Sequence, residues 1–426
     1  MAIKRKRVWI LGAAAAAGWT MVMLSAPALT GPNSPPSHKG MVISAPSSGH
    51  WVGVWGAPPM PDPPINPSFK DQTLRQVVRV SGGGSQIRLR LSNEYSSKPL
   101  VIGEVHVAMP AALGGAIVPG SDHVVTFSGS KTAVIPAFSP MVSDPIAMDV
   151  KPLSSLAVSI YVPTDTGPCE CHVTGLQTGY MTGHGNYTGS TFLLGAKTFL
   201  LRAFLTGVEA QTPARAVVAF GDSLTDGNFS TLDRNRRWPD RLAERLNAQA
   251  PGRWTVVNEA IGGNRLLTGG LGDAGPARFD RDALGVPGVS HVIVLLGVND
   301  LALGKGTPMP LGSEAATPPP YEEFLAGYRQ LIAKAHAHGV KIYAGTIAPY
   351  GGSAHWSAET EILRQRVNQW LRTSKEWDGF IDFDAAWRDP AQPSRIKKGM
   401  GAEDHIHGSD AGYTALGEAI PLGLFN

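Results

Sequence analysis

The chain has 426 residues, of which 43% are apolar, with 50 glycines and 34 prolines. This length and composition indicate a globular protein of two domains, and they favour many turns and long loops over helix bundles. The formal net charge of +3 depends on residues 1–28, which carry four basic side chains and no acidic one; without them it is −1. Because no basic excess remains, we expect no nucleic-acid partner.

Residues 1–28 have the pattern of a signal peptide. Four basic residues at 4–7 precede an apolar run at 8–24, and small residues at 26–28 (Ala-Pro-Ala) offer a cleavage site. The run is also nearly long enough to span a membrane, so an uncleaved anchor is the alternative. The small-residue site favours cleavage, and we expect a secreted or periplasmic protein with no membrane contact afterwards.

The next part of the chain is predicted to be all-β. Residues 29–50 are rich in Pro, Ser and Gly and indicate a flexible leader. Residues 51–210 contain short extended segments separated by turn residues, without a long amphipathic helix. Ile87, Leu89 and Leu91 alternate with two arginines, which is the period of a strand with one buried face. We therefore predict an antiparallel β-sandwich accessory domain at 51–210.

Two cysteines, Cys169 and Cys171, lie one residue apart in this part. Outside the cytoplasm they favour a tight disulfide, which that separation would strain. A metal site with His172 and His184 is the alternative, but the spacing fits no zinc pattern. We expect the cysteines to be structural and the protein to hold no metal.

The pattern of predicted elements changes in residues 211–426, where strand-like runs alternate with helices. Apolar stripes predict helices at 239–249, 321–338 and 358–375. A last helix begins at Ser409 or Asp410, either of which could cap it. Alternation of this kind is typical of a parallel sheet with helices on both faces, an α/β fold.

Polar residues and glycines follow the predicted strands directly. The first strand ends in Gly-Asp-Ser-Leu-Thr-Asp-Gly, which contains Ser223, and the second is followed by Gly263. The third ends before Asn299, while Asp404 and His407 lie near the carboxyl terminus. In parallel sheets ligands bind beyond the carboxyl ends of the strands, so these groups are expected to meet at one edge.

In this order, these four blocks resemble the signature of the SGNH hydrolase family, also called GDSL lipases or acylhydrolases. The surrounding residues are most similar to a branch of arylesterases and xylan-associated acylhydrolases, which also has an N-terminal β-sandwich. The resemblance implies a flavodoxin-like SGNH hydrolase catalytic domain at 211–426. It also implies a carboxylic ester hydrolase that needs no cofactor.

The residue types support a serine esterase. A serine hydroxyl needs a base within hydrogen-bond reach, so we predict that His407 takes the proton of Ser223. Asp404, three residues earlier, would hold the other ring nitrogen. The resemblance assigns the oxyanion hole to the backbone amides of Ser223 and Gly263 and the side-chain amide of Asn299.

Other residues near this motif offer alternatives. His405 is a second candidate base, although Asp404 would have to fold back to reach it. Asp410 also lies three residues from His407, but it is read more simply as part of the last helix's cap. Asp222 and Asp226 are read as local hydrogen-bonding residues. The family usually has proline after the histidine, where this chain has Gly408.

Several functional alternatives remain open from sequence alone. We expect a small-molecule or glycan ester with a short acyl group, such as an acetylated carbohydrate or an aryl ester. A lipase or phospholipase, an acyltransferase using the same residues, and a non-catalytic glycan-binding protein are the alternatives. The β-sandwich either braces the hydrolase domain and lines one wall of the cleft, which we favour, or binds polysaccharide. The segment 301–320 is predicted to cover the cleft. The sequence does not determine the oligomeric state.

Overall fold

The computed structural model describes residues 49–61, 66–112, 114–304 and 317–426. The predicted signal peptide and nearly all of the predicted leader lie outside the described residues. The same holds for 305–316, the central part of the segment predicted to cover the cleft. No helix within the described ranges is both long and apolar enough to cross a membrane.

The first half of the described chain is built from thirteen strands. They are β1 (His50–Gly56), β2 (Gln72–Arg79), β3 (Gly84–Asn93), β4 (Leu100–Ile102), β5 (Glu104–Ala108), β6 (His123–Val125), β7 (Ala133–Ile135), β8 (Ser139–Val142), β9 (Ile146–Val150), β10 (Ser155–Val162), β11 (Gly179–Met181), β12 (Lys197–Phe199) and β13 (Leu205–Thr212).

These strands form two main antiparallel sheets. One has the order β1-β13-β3-β8, with β9 also paired to β3, and the other the order β12-β11-β2-β10-β5-β6. The short strands β4 and β7 pair separately. Apolar side chains from both main sheets belong to one buried cluster, so the two sheets share a core.

Strand β3 shows how the sequence pattern produces this packing. Ile87, Leu89 and Leu91 are fully buried in the shared core, as the alternation predicts. Arg88 lies on the opposite face and pairs with Glu209, its register partner on β13, over 2.5 Å. The opposite charges on neighbouring strands therefore add to the register that the apolar face determines.

The second half is built on one parallel sheet. Its strands are β14 (Arg215–Gly221), β15 (Trp254–Asn258), β16 (Val289–Leu295), β17 (Lys341–Gly345) and β18 (Gly379–Ile381). They pair in the order β15-β14-β16-β17-β18, which is 2-1-3-4-5 in chain order and is the order of flavodoxin-like sheets. The chain reverses its direction of growth at β14 and β16, which is where ligands bind in such sheets.

Eight α-helices accompany this sheet in the described residues. They are α1 (Ser223–Asp226), α2 (Trp238–Gln249), α3 (Gly275–Phe279), α4 (Val298–Leu303), α5 (Tyr321–Ala337), α6 (Ala358–Thr373), α7 (Phe383–Trp387) and α8 (Asp410–Ala419). A π-helical turn at Asp280–Leu284 follows α3, and a 3-10 turn at Leu422–Phe425 ends the chain.

The three long helices agree with their predicted positions to within two residues. The last helix is capped by Ser409, whose hydroxyl accepts a hydrogen bond from the Gly412 amide, which decides between the two predicted caps. Helices α2 and α8 pack together, as do α5 and α6. Each pair buries its apolar stripe, and both contribute to one core with the parallel sheet.

Strand β1 connects the antiparallel sheets to the parallel sheet within one compact unit, residues 47–426. Val52 is fully buried in the core of the α/β part. The amide of Gly53 donates to the carbonyl of Pro287 over 2.9 Å, and its own carbonyl accepts from the Thr255 hydroxyl over 2.7 Å. A Cβ atom at position 53 would lie 2.7 Å from Val286, so glycine permits this close approach.

Candidate active site

Ser223 lies at the carboxyl end of β14, where the chain turns sharply into α1. Asp222 caps this helix, and its Oδ1 accepts a hydrogen bond from the Leu224 amide over 3.0 Å. A Cβ atom at Gly221 would come within 2.7 Å of the Leu295 carbonyl oxygen, so the turn requires glycine there. This geometry leaves Ser223 only 4% exposed, at the edge of the sheet.

Ser223, His407 and Asp404 form a continuous hydrogen-bonded chain. His407 Nε2 lies 2.7 Å from Ser223 Oγ, and His407 Nδ1 lies 2.5 Å from Asp404 Oδ2. Asp404 Oδ1 also accepts from the backbone amides of Ile406 and His407, both over 3.1 Å. With Nδ1 donating to the carboxylate, Nε2 is the nitrogen that accepts from the serine hydroxyl.

The environment of Asp404 keeps its carboxyl ionised. Burial alone would raise its pKa, but the hydrogen bonds from the side chain and amide of His407 and from the Ile406 amide lower the pKa to about 2. A carboxylate in this position accepts the hydrogen bond from Nδ1–H and thereby fixes the tautomer and orientation of the imidazole ring.

The two rival residues are placed differently. His405 adopts a positive φ of 61° and lines the same cavity, while both oxygens of Asp404 are engaged by the 406–407 segment. Asp410 is the first residue of α8, and its Oδ1 accepts from the Thr231 amide over 2.7 Å. The structure therefore brings His407 and Asp404, not His405 or Asp410, into line with Ser223.

Gly263 and Asn299 line the same cavity as Ser223. Gly263 has a φ of 76°, and a Cβ there would lie 2.8 Å from Leu271. The side-chain amide of Asn299 donates one hydrogen bond to the Asn264 carbonyl over 2.9 Å, which leaves its second N–H for another acceptor. Within the described residues, the amides of Ser223 and Gly263 donate to no protein group. N–H donors of this kind can stabilise an oxyanion.

The cavity beside Ser223 has a volume of about 620 Å³, which is in the usual range for small-molecule sites. Leu271 and Leu303 contribute apolar surface to it. Asn228, Ser353 and His355 contribute polar groups. A ligand here would therefore meet an apolar wall as well as hydrogen-bonding side chains.

Residues from the antiparallel part also line this cavity, and the sequence pattern does not identify them individually. Val173 and Thr174 lie on its wall, and a Cβ at Gly262 would be 3.2 Å from the Thr174 hydroxyl. The preceding His172 is buried, with Nε2 3.1 Å from Asp226 Oδ1. Asp226 thus has the local hydrogen-bonding role predicted for it, and it holds this segment against α1.

The cysteines preceding this segment are bonded to each other. Cys169 and Cys171 form a disulfide, with their Cα atoms 5.1 Å apart. His184 lies elsewhere, with an 85% exposed side chain near Asp71. Among the described residues, no group of three or more potential metal ligands is arranged to hold a metal ion.

Two buried carboxyls lie behind the serine. Asp222 is 1% exposed, and burial raises its pKa to about 7. Its Oδ2 has no hydrogen-bond partner among the described groups. Burial also raises the pKa of Asp300 to about 6, although its carboxylate accepts from the Leu266 and Leu267 amides. Asp222 thus holds the turn after β14 and Asp300 holds the segment after β15, and neither carboxyl lines the cavity.

The family match falls on the part of the chain that contains the parallel sheet. Residues 219–415 match the GDSL-like Lipase/Acylhydrolase family. Similar solved structures include a variant of an acetyl xylan esterase from Geobacillus stearothermophilus, with 23% identity, coverage of 50% of this chain and 94% of that chain, and a TM-score of 0.37. A GDSL-like lipase from Bacteroides thetaiotaomicron has 14% identity, coverage of 50% and 88%, and a TM-score of 0.36. No curated protein matches the chain.

Proposed function

We propose that this chain, whose residues 219–415 match the GDSL-like lipase/acylhydrolase family, is a serine esterase that acts through an acyl-enzyme on Ser223. The observation that carries the proposal is the hydrogen-bonded chain from Ser223 Oγ through His407 to Asp404 at the wall of a 620 Å³ cavity. The family match supports acylhydrolase chemistry, and the geometry supports these residues as its machinery.

In the first half-reaction Ser223 Oγ attacks the ester carbonyl carbon while His407 Nε2 takes its proton. The ionised Asp404 holds Nδ1–H and stabilises the imidazolium that forms. The imidazolium then gives the proton to the leaving alkoxide, which departs as an alcohol. The acyl group remains on Ser223.

In the second half-reaction water replaces the alcohol. His407 takes a proton from the water as it attacks the acyl carbonyl carbon, and the proton returns to Ser223 Oγ when the acid leaves. In both halves negative charge develops on the carbonyl oxygen. The amides of Ser223 and Gly263 and the free N–H of Asn299 are the donors available to it, and one such donor typically contributes a factor of about 10²–10³. No step requires a cofactor.

The substrate we propose is a short-chain ester of a carbohydrate or an aryl alcohol. Asn228, Ser353 and His355 line the cavity and offer hydrogen bonds to a hydroxyl-rich alcohol. Leu271, which lies against Gly263, offers an apolar contact for a short acyl group next to the proposed oxyanion donors. We further propose that residues 1–28 direct the protein out of the cytoplasm.

The test uses the purified chain without residues 1–28. Release of p-nitrophenol from p-nitrophenyl acetate, and of acetate from acetylated xylo-oligosaccharides, is compared for wild type and Ser223→Ala. We expect hydrolysis by wild type and none above background by the variant, with rates that fall as the acyl chain lengthens to octanoyl. Equal activity of the two proteins, or glycan binding without any hydrolysis by wild type, would contradict the proposal.

A further inference from the structure

Phe229 covers one face of the His407 ring. The two ring centroids lie 5.2 Å apart with an angle of 22° between the ring planes, so the rings are stacked. Phe229 itself is 60% exposed, which is unusual for a phenylalanine and leaves little burial to explain its position. The aromatic contact of this ring is with the imidazole that bonds to Ser223.

The backbone of Phe229 is strained. Its φ is 67°, in the left-handed region that bulky residues rarely occupy. Such strain persists only where the surrounding structure enforces it. Hydrogen bonds hold the backbone on both sides of Phe229. The Asn228 carbonyl accepts from Tyr413 Oη over 2.6 Å, and the amide of Thr231, two residues after Phe229, donates to Asp410 Oδ1 over 2.7 Å.

Both of these anchors belong to α8, the helix that begins three residues after His407. The segment that carries Phe229 follows α1, which begins with Ser223. The two hydrogen bonds thus join the segment after Ser223 to the helix after His407, and the stacked rings are a further contact between these two parts of the chain. Movement of the imidazole relative to the serine would require this arrangement to shift.

The imidazole needs such a restraint. Its two nitrogens bond to Asp404 and Ser223 in the plane of the ring, and these bonds leave the ring free to tilt about the line that joins them. The following residue is Gly408, where a Cβ would lie 2.6 Å from the Trp387 ring, so no side chain at this position supports the imidazole. A phenyl ring stacked against one face of the imidazole opposes this tilt.

We propose that Phe229 is a positioning residue, which holds the His407 imidazole in line between Asp404 and Ser223 during proton transfer. This inference rests on the proposed esterase function. Phe229→Gly separates an effect on activity from an effect on stability. It removes the phenyl ring, which should lower activity, and it relieves the backbone strain, which should not lower the stability of the fold.

Phe138 provides a matched control. It is also exposed (65%), also has a positive φ (57°), and does not line the cavity. We expect Phe229→Gly to lower kcat on p-nitrophenyl acetate about 10-fold, with KM within a factor of about two and an unfolding temperature no lower than that of wild type. Phe138→Gly should leave kcat unchanged, and Phe229→Tyr should restore most of the activity.

An unchanged kcat in Phe229→Gly, an equal loss in Phe138→Gly, or a loss that appears only in KM would overturn the inference. A second readout is independent of turnover. The low-field proton resonance of His407 Nδ1–H, assigned by its loss in His407→Gln, should broaden in Phe229→Gly but not in Phe138→Gly. If wild type and Phe229→Gly give the same resonance, the positioning role is wrong, even if the esterase proposal holds. If the resonance broadens in Phe229→Gly but no turnover depends on Ser223, the esterase proposal is wrong instead.

Discussion

The side-chain amide of Asn299 donates a hydrogen bond to the backbone carbonyl of Asn264, over 2.9 Å. This bond joins the segment after β16 to the segment after β15, and it uses one of the two amide protons. The amide plane is thereby fixed, and its second proton is held ready for an acceptor in the cavity. A donor oriented before the substrate arrives costs little reorganisation during the reaction.

We therefore predict that Asn299→Ala lowers kcat about 10²–10³-fold with a small change in KM, because the donor acts mainly on the charged transition state. Asn299→Asp keeps the size but replaces both donors by acceptors, so its loss should be at least as large. Steady-state kinetics on p-nitrophenyl acetate measure both parameters. A loss carried by KM alone would show that Asn299 binds the ground state instead.

A second prediction concerns the carboxylate that orients the histidine. Asp404 and Asp410 each lie three residues from His407, but only Asp404 bonds to its ring. We expect Asp404→Asn to lower kcat about 10⁴-fold, because an amide at this position favours the wrong tautomer. Asp410→Asn should stay within a few-fold of wild type, since Asn retains an oxygen for the Thr231 amide. Comparable losses in the two variants would contradict the assignment.

A third prediction follows from the buried carboxyl of Asp222, whose pKa is raised to about 7 by burial. In the unfolded chain this carboxyl ionises near its usual pKa of about 4, so between these values the folded state holds the extra proton. Its contribution to stability is thus fully present below about pH 4 and is lost as pH rises through about 7. Asp222→Asn, which cannot ionise, should lose less stability than wild type between pH 5 and pH 8.

Thermal unfolding at several pH values gives this comparison. Asp300 also has a pKa raised by burial, and its charge contributes to the raised pKa of Asp222, so the difference between the two proteins reports Asp222 together with its interaction with Asp300. Parallel stability curves for wild type and Asp222→Asn would show that this carboxyl does not titrate in the range. Because Asp222 also caps α1, only the pH dependence, not the absolute stability, is diagnostic.

The elements that the sequence predicts correctly are those whose pattern lies within one short segment of the chain. The helices at α2, α5 and α6 follow from apolar periodicity within one segment, and their ends agree with the prediction to within two residues. The alternation at Ile87, Leu89 and Leu91 likewise predicts a buried face that the sheet confirms. The rule that ligands lie beyond parallel strands also placed Ser223 and Asn299 at the same edge.

Other parts of the site depend on long-range pairing that the sequence does not show. Val173 and Thr174 lie in an irregular segment, which is fixed by backbone bonds from His172 to Arg202 and from Gly175 to Leu200. Phe229 is an isolated aromatic residue in a loop. Neither its positive φ nor its stack on a histidine 178 positions later has a local signature.

The last prediction concerns the antiparallel part, for which the sequence leaves bracing and polysaccharide binding open. The contact of Gly53 with Pro287 and Thr255, and the burial of Val52 in the α/β core, favour bracing. Gly53→Ala would force a methyl group to within 2.7 Å of Val286, and overpacking of this kind costs about 1–3 kcal/mol.

Gly183→Ala is the matched control, because a Cβ there meets no atom within 4 Å and its φ is not positive. We expect Gly53→Ala to lower the midpoint of urea unfolding in one cooperative transition, and Gly183→Ala to leave it unchanged. If the two parts unfold separately and Gly53→Ala shifts one transition alone, the antiparallel part behaves as an independent module. A single shifted transition means that β1 transmits stability to the sheet that carries Ser223, as a brace must.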